Sequence, residues 1–472
     1  MDQLNVEEHK YGRCVECKQI NTGRVWCQTC NSKRFQQNFD KWTSGNDDID
    51  KFIQNNQLSA KNRFQLLEWI PYDRFSKVTY VAEGGFSKVY KAKWNGFISF
   101  WDESKNQWKR SGLYSRRSRG GNYVALKHLN NSQNLTLDVI NEIMSYVKLN
   151  ERTRKFLGTF GVSQDPITKD YIVVLPYAGK IKNYLKRKTR IYGMSQHEIF
   201  YLILRRKIIA LLDIVTALKK IHEEGLLHRN LHIGNIMTFK YTACITDIGF
   251  CKPANYKELS NAENSVYGVL PYVAPEILRR QPYTKESDIY SFGIIMYEII
   301  SGIPPYHDIE HNEYLALKIC EGLRPRFNTN IPQLILHLIK KCLDANPLNR
   351  PNIKDLTKIF LEWLEEFKRY NKGESGSTEI ELIKQIGESE KVNNSTSSSN
   401  SSPSTNKIHP GAIYTSRLLN FNNLPEPKNS DDYYEIYDNI SSIEYPGIYL
   451  LFKLNVLLVQ ATYINLLPKS SV

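Results

Sequence analysis

The chain is short of uninterrupted apolar sequence. Its best candidate for a membrane span, Gly447 to Leu467, is broken by Lys453, Asn455, Gln460 and Asn465. A span needs about 20 largely apolar residues, and a lysine near its centre costs about 3 kcal/mol. A β-prone or partly buried tail is therefore expected there, and no membrane span. The opening residues, Met1 to Glu8, carry no basic cap followed by an apolar run, so no secretory signal is expected. Cysteine is sparse, with eight in 472 residues. Without an export signal this points to a reducing compartment, cytoplasmic with the nucleus as an alternative, and away from disulfides. Acidic residues are in the minority, 49 against 63 basic ones, leaving a net charge of +14. The excess gathers at Lys109-Arg110, Arg116-Arg117-Arg119 and Lys180 to Arg190. Such a balance would suit nucleic acid, acidic lipid or acidic protein. No nucleic-acid module accompanies it, so it reads as a solvated basic surface with no DNA or RNA partner.

At 41% hydrophobic and 24% charged the composition is that of an ordinary globular protein, with length for one large domain and flanking segments. Residues 1–34 form a cysteine-rich segment: Cys14-Val15-Glu16-Cys17 and Cys27-Gln28-Thr29-Cys30 flank a short stretch containing Gly23. Two such knuckles can bring four thiolates into the tetrahedron that structural zinc prefers, with no ligand position left open for catalysis. Four reduced, unliganded thiols are the alternative. So small a segment has little core, and bound metal would supply most of its folding energy. Residues 35–73 read as a helical linker, with Ile49, Phe52, Ile53, Leu66 and Leu67 spaced along one face.

Several motifs follow in a fixed order. Ala82-Glu83-Gly84-Gly85-Phe86-Ser87-Lys88-Val89-Tyr90 follows a strand-like stretch from Phe75. Asn95 to Asn122 reads as an aromatic hairpin with a basic, solvated tip. Val124-Ala125-Leu126-Lys127 precedes a helical segment, Leu135 to Leu149, that carries Glu142. Tyr171 to Leu175 is a buried-strand run leading into Pro176-Tyr177-Ala178. A long helix over about Ser195 to Glu224 ends at Gly225. Then come His228-Arg229-Asn230-Leu231-His232-Ile233-Gly234-Asn235, Thr246-Asp247-Ile248-Gly249, Ala274-Pro275-Glu276, Ser287 to Gly293, and Asn346 to Pro351.

Taken together these resemble the eukaryotic protein kinases, whose catalytic loop reads His-Arg-Asp-x-x-x-x-Asn and whose metal-binding triplet reads Asp-Phe-Gly. The resemblance is to the serine/threonine branch of the tyrosine-kinase-like group and covers about residues 74–368. Around it, Phe39 to Asn46 after a cysteine leader resembles a group of fungal kinase-like proteins. The implied fold is α+β and two-lobed, with a small β-rich lobe containing one helix and a large, mostly helical one. The implied ligands are ATP and Mg²⁺. Ala82, Gly84, Gly85 and Val89 would form the phosphate-covering loop, although Ala82 and Ser87 replace two of its usual glycines. Lys127 would pair with the nucleotide phosphates and be held by Glu142. Ala125, Pro176, Ala178 and Met237 would surround adenine, the proline's missing N–H falling where the hinge needs only a carbonyl. Asn235 and Asp247 would hold Mg²⁺ through hard oxygen donors. Asp288 would brace the catalytic-loop backbone, and Arg350 would pair with Glu276. Ser260, Ser265 and Tyr267, in the activation segment, could carry phosphate that Arg229 would receive.

One departure governs the activity. Asn230 stands where active kinases carry the aspartate that accepts the proton of the substrate hydroxyl. An amide can hold a hydroxyl by hydrogen bonding but cannot take its proton near neutral pH. His232 replaces a lysine and would be largely neutral, and Val269 replaces a threonine that helps to orient the acceptor. The expected function is phosphoryl transfer to protein serine or threonine at a reduced rate. The competing reading is a pseudokinase acting as an ATP-responsive scaffold for a signalling partner, and a nucleic-acid adaptor comes last. Residues 369–408, nearly all Ser, Asn and Thr over 393–406, are expected to be a disordered linker, followed by a partly apolar tail over 409–472.

Overall fold

Two stretches at the start of the chain pack before the first sheet begins. In this computed structural model the described residues are 11–84, 87–111, 123–133, 143, 158–186, 195–239, 241–248, 252–253, 266–327, 330–372, 381–396 and 407–429. Helix α1 (Gln28–Gln36) starts directly after Cys27 and carries Cys30 in its first turn. Helix α2 (Asp47–Ser59) starts at Asn46, whose side chain accepts from the Asp48 and Ile49 N–H groups. That cap satisfies donors that the first helical turn leaves free. Ile49 and Ile53 of α2 are buried against the main core, so this region is part of the folded body.

The small lobe is built by period-two alternation. Strands β1 (Glu68–Trp69), β2 (Ser76–Glu83), β3 (Ser87–Lys93), β6 (Tyr123–Leu129), β7 (Gly161–Gln164) and β8 (Tyr171–Pro176) form a sheet in the order β1-β7-β8-β6-β3-β2. Val124, Leu126, Ile172 and Val174 face one core with Trp94, whereas Val173 and Leu175 face the other. Lys127 thereby falls on the face opposite Leu126. β1 runs parallel to β7 with Glu68 opposite Gly161. A Cβ on Gly161 would sit 2.1 Å from the Glu68 carbonyl oxygen, so only glycine allows this approach. The expected extra hairpin is present as β4 (Phe97–Asp102) and β5 (Gln107–Ser111). Its Trp108 stacks on Phe35 at 4.6 Å and lies 6.2 Å from Trp26, which fastens the cysteine segment to the small lobe. The tip of this hairpin is Glu103 to Asn106, so the basic run Arg116-Arg117-Arg119 follows β5 instead of capping the hairpin. That run and most of the expected helix over 135–149, Glu142 included, lie outside the described residues.

The large lobe is helical. After β9 (Gly179–Lys180) and α3 (Ile181–Leu185) comes α4 (Gln196–Glu223), opened by a reciprocal capping box between Ser195 and Glu198. The short strand β10 (Leu226–Leu227) leads to a hairpin of β11 (Ile236–Phe239) and β12 (Thr242–Ile245) that carries the site. β13 (Lys252–Pro253) pairs with β10, and β14 (Val266–Gly268) follows. Helices α5 (Pro275–Leu278), α6 (Lys285–Ser301), α7 (Glu313–Cys320), α8 (Gln333–Cys342) and α9 (Ile353–Asn371) complete the lobe. Every residue of α6 from Ser287 to Ile300 is buried, as expected of a helix enclosed on all sides. In α9 burial falls on Leu356, Phe360, Trp363 and Phe367, a single helical stripe.

Two segments beyond this lobe depart from expectation. Within the stretch read as disordered linker, helix α10 runs over Glu381–Thr396. Leu382, Ile383 and Ile386 are buried at helical spacing, and Asn393 exchanges two hydrogen bonds of 2.9 Å with the Asn330 backbone. The polar composition that suggests disorder begins only at the end of this helix. Further on, β15 (Arg417–Leu419) pairs antiparallel with β14, drawing the chain from His409 to Asn429 across the large lobe. The apolar stretch 447–467 lies outside the described residues. Among the described residues no helix is long and apolar enough to cross a membrane.

Candidate active site

The loop over 228–235 is held from behind by α6. The Asp288 carboxylate accepts from the His228 N–H at 2.9 Å and the Arg229 N–H at 3.0 Å, and it also meets His222 Nε2 at 2.9 Å. Burial works to raise the Asp288 pKa, but its hydrogen bond to His222 and the neighbouring histidines hold it below the usual range. His228 Nε2 donates to the Thr246 carbonyl at 3.2 Å, joining this loop to the one that carries Asp247. Arg229 and Asp247 both adopt left-handed backbone, at φ 66 and 59. Non-glycine residues pay about 1–3 kcal/mol for such conformations, which persist where the surroundings over-determine them.

Three groups meet at the cleft between the lobes. Lys127 Nζ from β6 lies 2.5 Å from Asp247 Oδ1. Burial opposes ionisation of Asp247, but the Lys127 charge and its hydrogen bond outweigh it and hold the carboxyl below its ordinary pKa. The Asn235 side-chain amide donates to the Asn230 carbonyl at 2.9 Å and lies 3.5 Å from Asp247 Oδ2. With its Nδ2 committed to that carbonyl, Asn235 keeps Oδ1 as a hard oxygen donor, and together with the Asp247 carboxylate it makes a donor set of the kind that fits Mg²⁺.

The other expected nucleotide-contacting residues lie on β2, β3, β6, β8 and β11 or directly after them. Ala82 is opposite Val89 in the β2–β3 register, and the Gly84 N–H closes the loop onto the Ser87 carbonyl at 2.8 Å. Ala125 is opposite Leu175, and Pro176 ends β8 opposite Val124. Ala178 follows two residues later, and Met237 on β11 lies opposite Lys180. Gly85 and Glu142 lie outside the described residues.

At the acceptor end, Asn230 is buried and His232 lies beside it. His232 Nδ1 accepts from the Gly234 N–H at 3.2 Å, which puts the ring proton of a neutral imidazole on Nε2. A Cβ on Gly234 would lie 2.7 Å from His232 Cε1, so glycine is needed for the ring to turn back on its own loop. Burial pushes the His232 pKa down to about 4. Val269 is 2% exposed and contributes no hydroxyl. The chemistry on offer is an acceptor carbonyl on Asn230 and an N–H donor on His232, with no general base among them.

Residues 75–360 match the family described as protein tyrosine and serine/threonine kinase. The chain belongs to that family. A probable serine/threonine-protein kinase, gdt4 of Dictyostelium discoideum, is 26% identical over 312 residues, 64% of this chain and 17% of that protein. The serine/threonine-protein kinase PKH2 of Candida albicans is 32% identical over 167 residues, 34% of this chain and 17% of its own length. The serine/threonine/tyrosine-protein kinase HT1 of Arabidopsis thaliana is 25% identical over 193 residues, 40% of this chain and 46% of the relative. The chain thus spans less than half the length of each of these relatives.

Within this kinase domain the Arg350 guanidinium grips Glu276 at 2.6 and 2.8 Å, as the resemblance implies. One residue at the site has no counterpart among the sequence-level candidates: Ser416 Oγ lies 3.2 Å from Asn230 Oδ1 and 3.1 Å from His232 Nε2. Nothing in its local sequence, Tyr414-Thr415-Ser416-Arg417, singles it out.

Proposed function

We propose that the chain is a Mg²⁺- and ATP-dependent protein kinase of the tyrosine-kinase-like serine/threonine branch, working at a reduced rate. The observation that carries this is the convergence of Lys127, Asp247 and Asn235 in one cleft while Asn230 occupies the position of the base. Bound with Mg²⁺, ATP supplies the transferable phosphoryl group. Lys127 would hold its phosphates, and Asp247 and Asn235 would hold the ion. Asn230 Oδ1 accepts a hydrogen bond from the acceptor hydroxyl, and the His232 Nε2–H donates to the oxygen of that hydroxyl. Together they orient the hydroxyl without deprotonating it.

General-base catalysis contributes a factor of about 10² to 10⁴. Phosphoryl transfer passes through a loose transition state in which positioning and charge carry most of the rate. The loss should therefore lie near the lower end, and Asn230→Asp should raise turnover about 10²-fold. The test is incorporation of label from γ-labelled ATP with Mg²⁺ in wild type, Asn230→Asp and Lys127→Met. Lys127→Met should abolish incorporation. If Asn230→Asp is as inactive as Lys127→Met, the kinase reading fails. The pseudokinase reading has its own support in buried Val269, which stands where a threonine hydroxyl would help to orient the acceptor. It prevails if nucleotide binds and no variant transfers.

For the cysteine segment we propose structural zinc. The Sγ atoms of Cys14, Cys17, Cys27 and Cys30 all lie within 4.8 Å of one another, with Cys14–Cys30 at 3.8 Å and Cys17–Cys27 at 3.5 Å. Four sulfurs at about 2.3 Å from a tetrahedral zinc stand about 3.8 Å apart, so the donor set fits the ion.

A further inference from the structure

The chain's own tail occupies the acceptor side of the site. β15 adds to β14 in register, Val266 opposite Leu419 and Gly268 opposite Arg417, the way an extended peptide adds to an exposed strand edge. On one side of β15 the strap is anchored by Tyr414, whose hydroxyl donates to the Pro305 carbonyl at 2.9 Å. On the other side Leu419 is 3% exposed in the main core, and Arg279 forms a two-pronged ion pair with Glu426. The Tyr267 hydroxyl of the activation segment donates to the Ser416 carbonyl at 3.1 Å. Ser416 is thus clamped on its backbone while its side chain points at the catalytic loop.

The hydrogen bonds there form one consistent chain. The Gly234 N–H donates to His232 Nδ1, the His232 Nε2–H donates to Ser416 Oγ, and the Ser416 hydroxyl donates to Asn230 Oδ1. Gly268 leaves room for this: a Cβ there would already lie 3.8 Å from Asn230 Oδ1 and 3.0 Å from Val273. A hydroxyl held by the amide at the base position, one residue before a strand paired with the activation segment, has the placement of a phosphoryl acceptor.

We propose that Ser416 is the intramolecular phosphoacceptor of this kinase domain, presented in cis by the strap 409–429. The proposal rests on the kinase reading above. In the step, the Ser416 Oγ–phosphorus bond forms and the bond from the γ-phosphorus to the β,γ-bridging oxygen breaks, its electron pair leaving with ADP. The hydroxyl proton passes to an oxygen of the transferred phosphoryl group and then to water, since neither Asn230 nor the Nε2-protonated His232 can take it. Docking in cis replaces a bimolecular encounter by a held geometry, which offsets part of the missing base. A slow enzyme can therefore still mark its own tail.

The experiment uses the full chain, first treated with phosphatase and then incubated with Mg²⁺ and γ-labelled ATP, with the labelled residue located by mass spectrometry. Wild type, Ser416→Ala, Lys127→Met and Asn230→Asp are compared, with a synthetic peptide spanning 411–421 as an acceptor in trans. The expected label is on Ser416, with a fractional rate unchanged over a tenfold dilution. It should fall at least tenfold in Ser416→Ala, vanish in Lys127→Met, and appear about 10²-fold faster in Asn230→Asp. Label on other residues or on the peptide with Ser416 unmarked overturns the proposal and leaves the kinase reading standing. So does Ser416 labelling that slows in proportion to dilution, because the acceptor is then used in trans. No label on any acceptor, Asn230→Asp included, sinks the kinase reading and the proposal with it.

Discussion

His232 shows how a single side chain is tuned by where the loop puts it. Its ring turns back onto the Gly234 N–H, reaches Ser416 through the other nitrogen, and is buried, which pushes its pKa from 6.5 down to about 4. In the unfolded chain the same ring takes a proton near pH 6.5. Between about pH 6.5 and 4 the unfolded state therefore binds more protons, and stability falls as the pH drops, by up to about 3 kcal/mol from this residue. Above pH 6.5 the contribution is fully present and flat. His228, also buried with its pKa lowered, acts in the same sense. Urea unfolding at pH 7 and pH 4.5 should show a loss that is smaller in His232→Asn than in wild type. Equal losses in the two proteins would mean that His232 titrates as if exposed. At the same scale, the meeting of Lys127, Asn235 and Asp247 was legible from motif spacing, because each belongs to a short run of the family's pattern. Ser416 was not, because a serine flanked by Thr415 and Arg417 is ordinary loop sequence.

At the scale of elements, the cysteine knuckles and the extra hairpin were each readable alone, and their contact was not. Trp26 is 1% exposed, donates its indole N–H to the Ala60 carbonyl at 2.9 Å, and lies against Phe35 and Trp108. This cluster is small, so the four thiolates around a metal would carry much of the segment's stability. On the zinc proposal, a strong chelator should expose Trp26 and shift its emission to the red. Trp26→Phe should lack that change, and Cys14→Ser should show it without chelator. Emission that stays fixed on chelation would identify the four thiols as unliganded. Helix α10 carries the opposite lesson. Counting polar residues over 369–408 suggests an irregular linker, but three buried side chains, Leu382, Ile383 and Ile386, hold a helix against the lobe. Composition averages over a window, whereas packing needs only a few apolar positions on one face.

Across the whole molecule, distant segments are joined by a few buried polar contacts. The Arg350 side chain is fully buried and bridges the loop before α9 to Glu276 in α5, directly beyond the activation segment. Arg350→Ala would leave the Glu276 carboxylate buried without its partner, a change that costs about 3–5 kcal/mol. Thermal or urea unfolding should show that loss. A cost below about 1 kcal/mol would mean that the pair is solvated in practice. The strap is the other long-range join, with 186 residues separating Ser416 from Asn230. Under the proposed function, the strap that places Ser416 on Asn230 would have to leave before another protein's hydroxyl could take that position.

Sequence alone determined the family motifs, their order, and the amide where the proton acceptor would stand. Those signals are local, because each role is set by residue type at fixed spacing along a strand, loop or helix. Tertiary structure alone decided what faces that amide, how the cysteine segment is fastened to the small lobe, and which polar stretch folds as a helix. Each depends on chain segments meeting through ordinary residues, a serine, a tryptophan or a leucine, whose identity carries no message until packing brings them together.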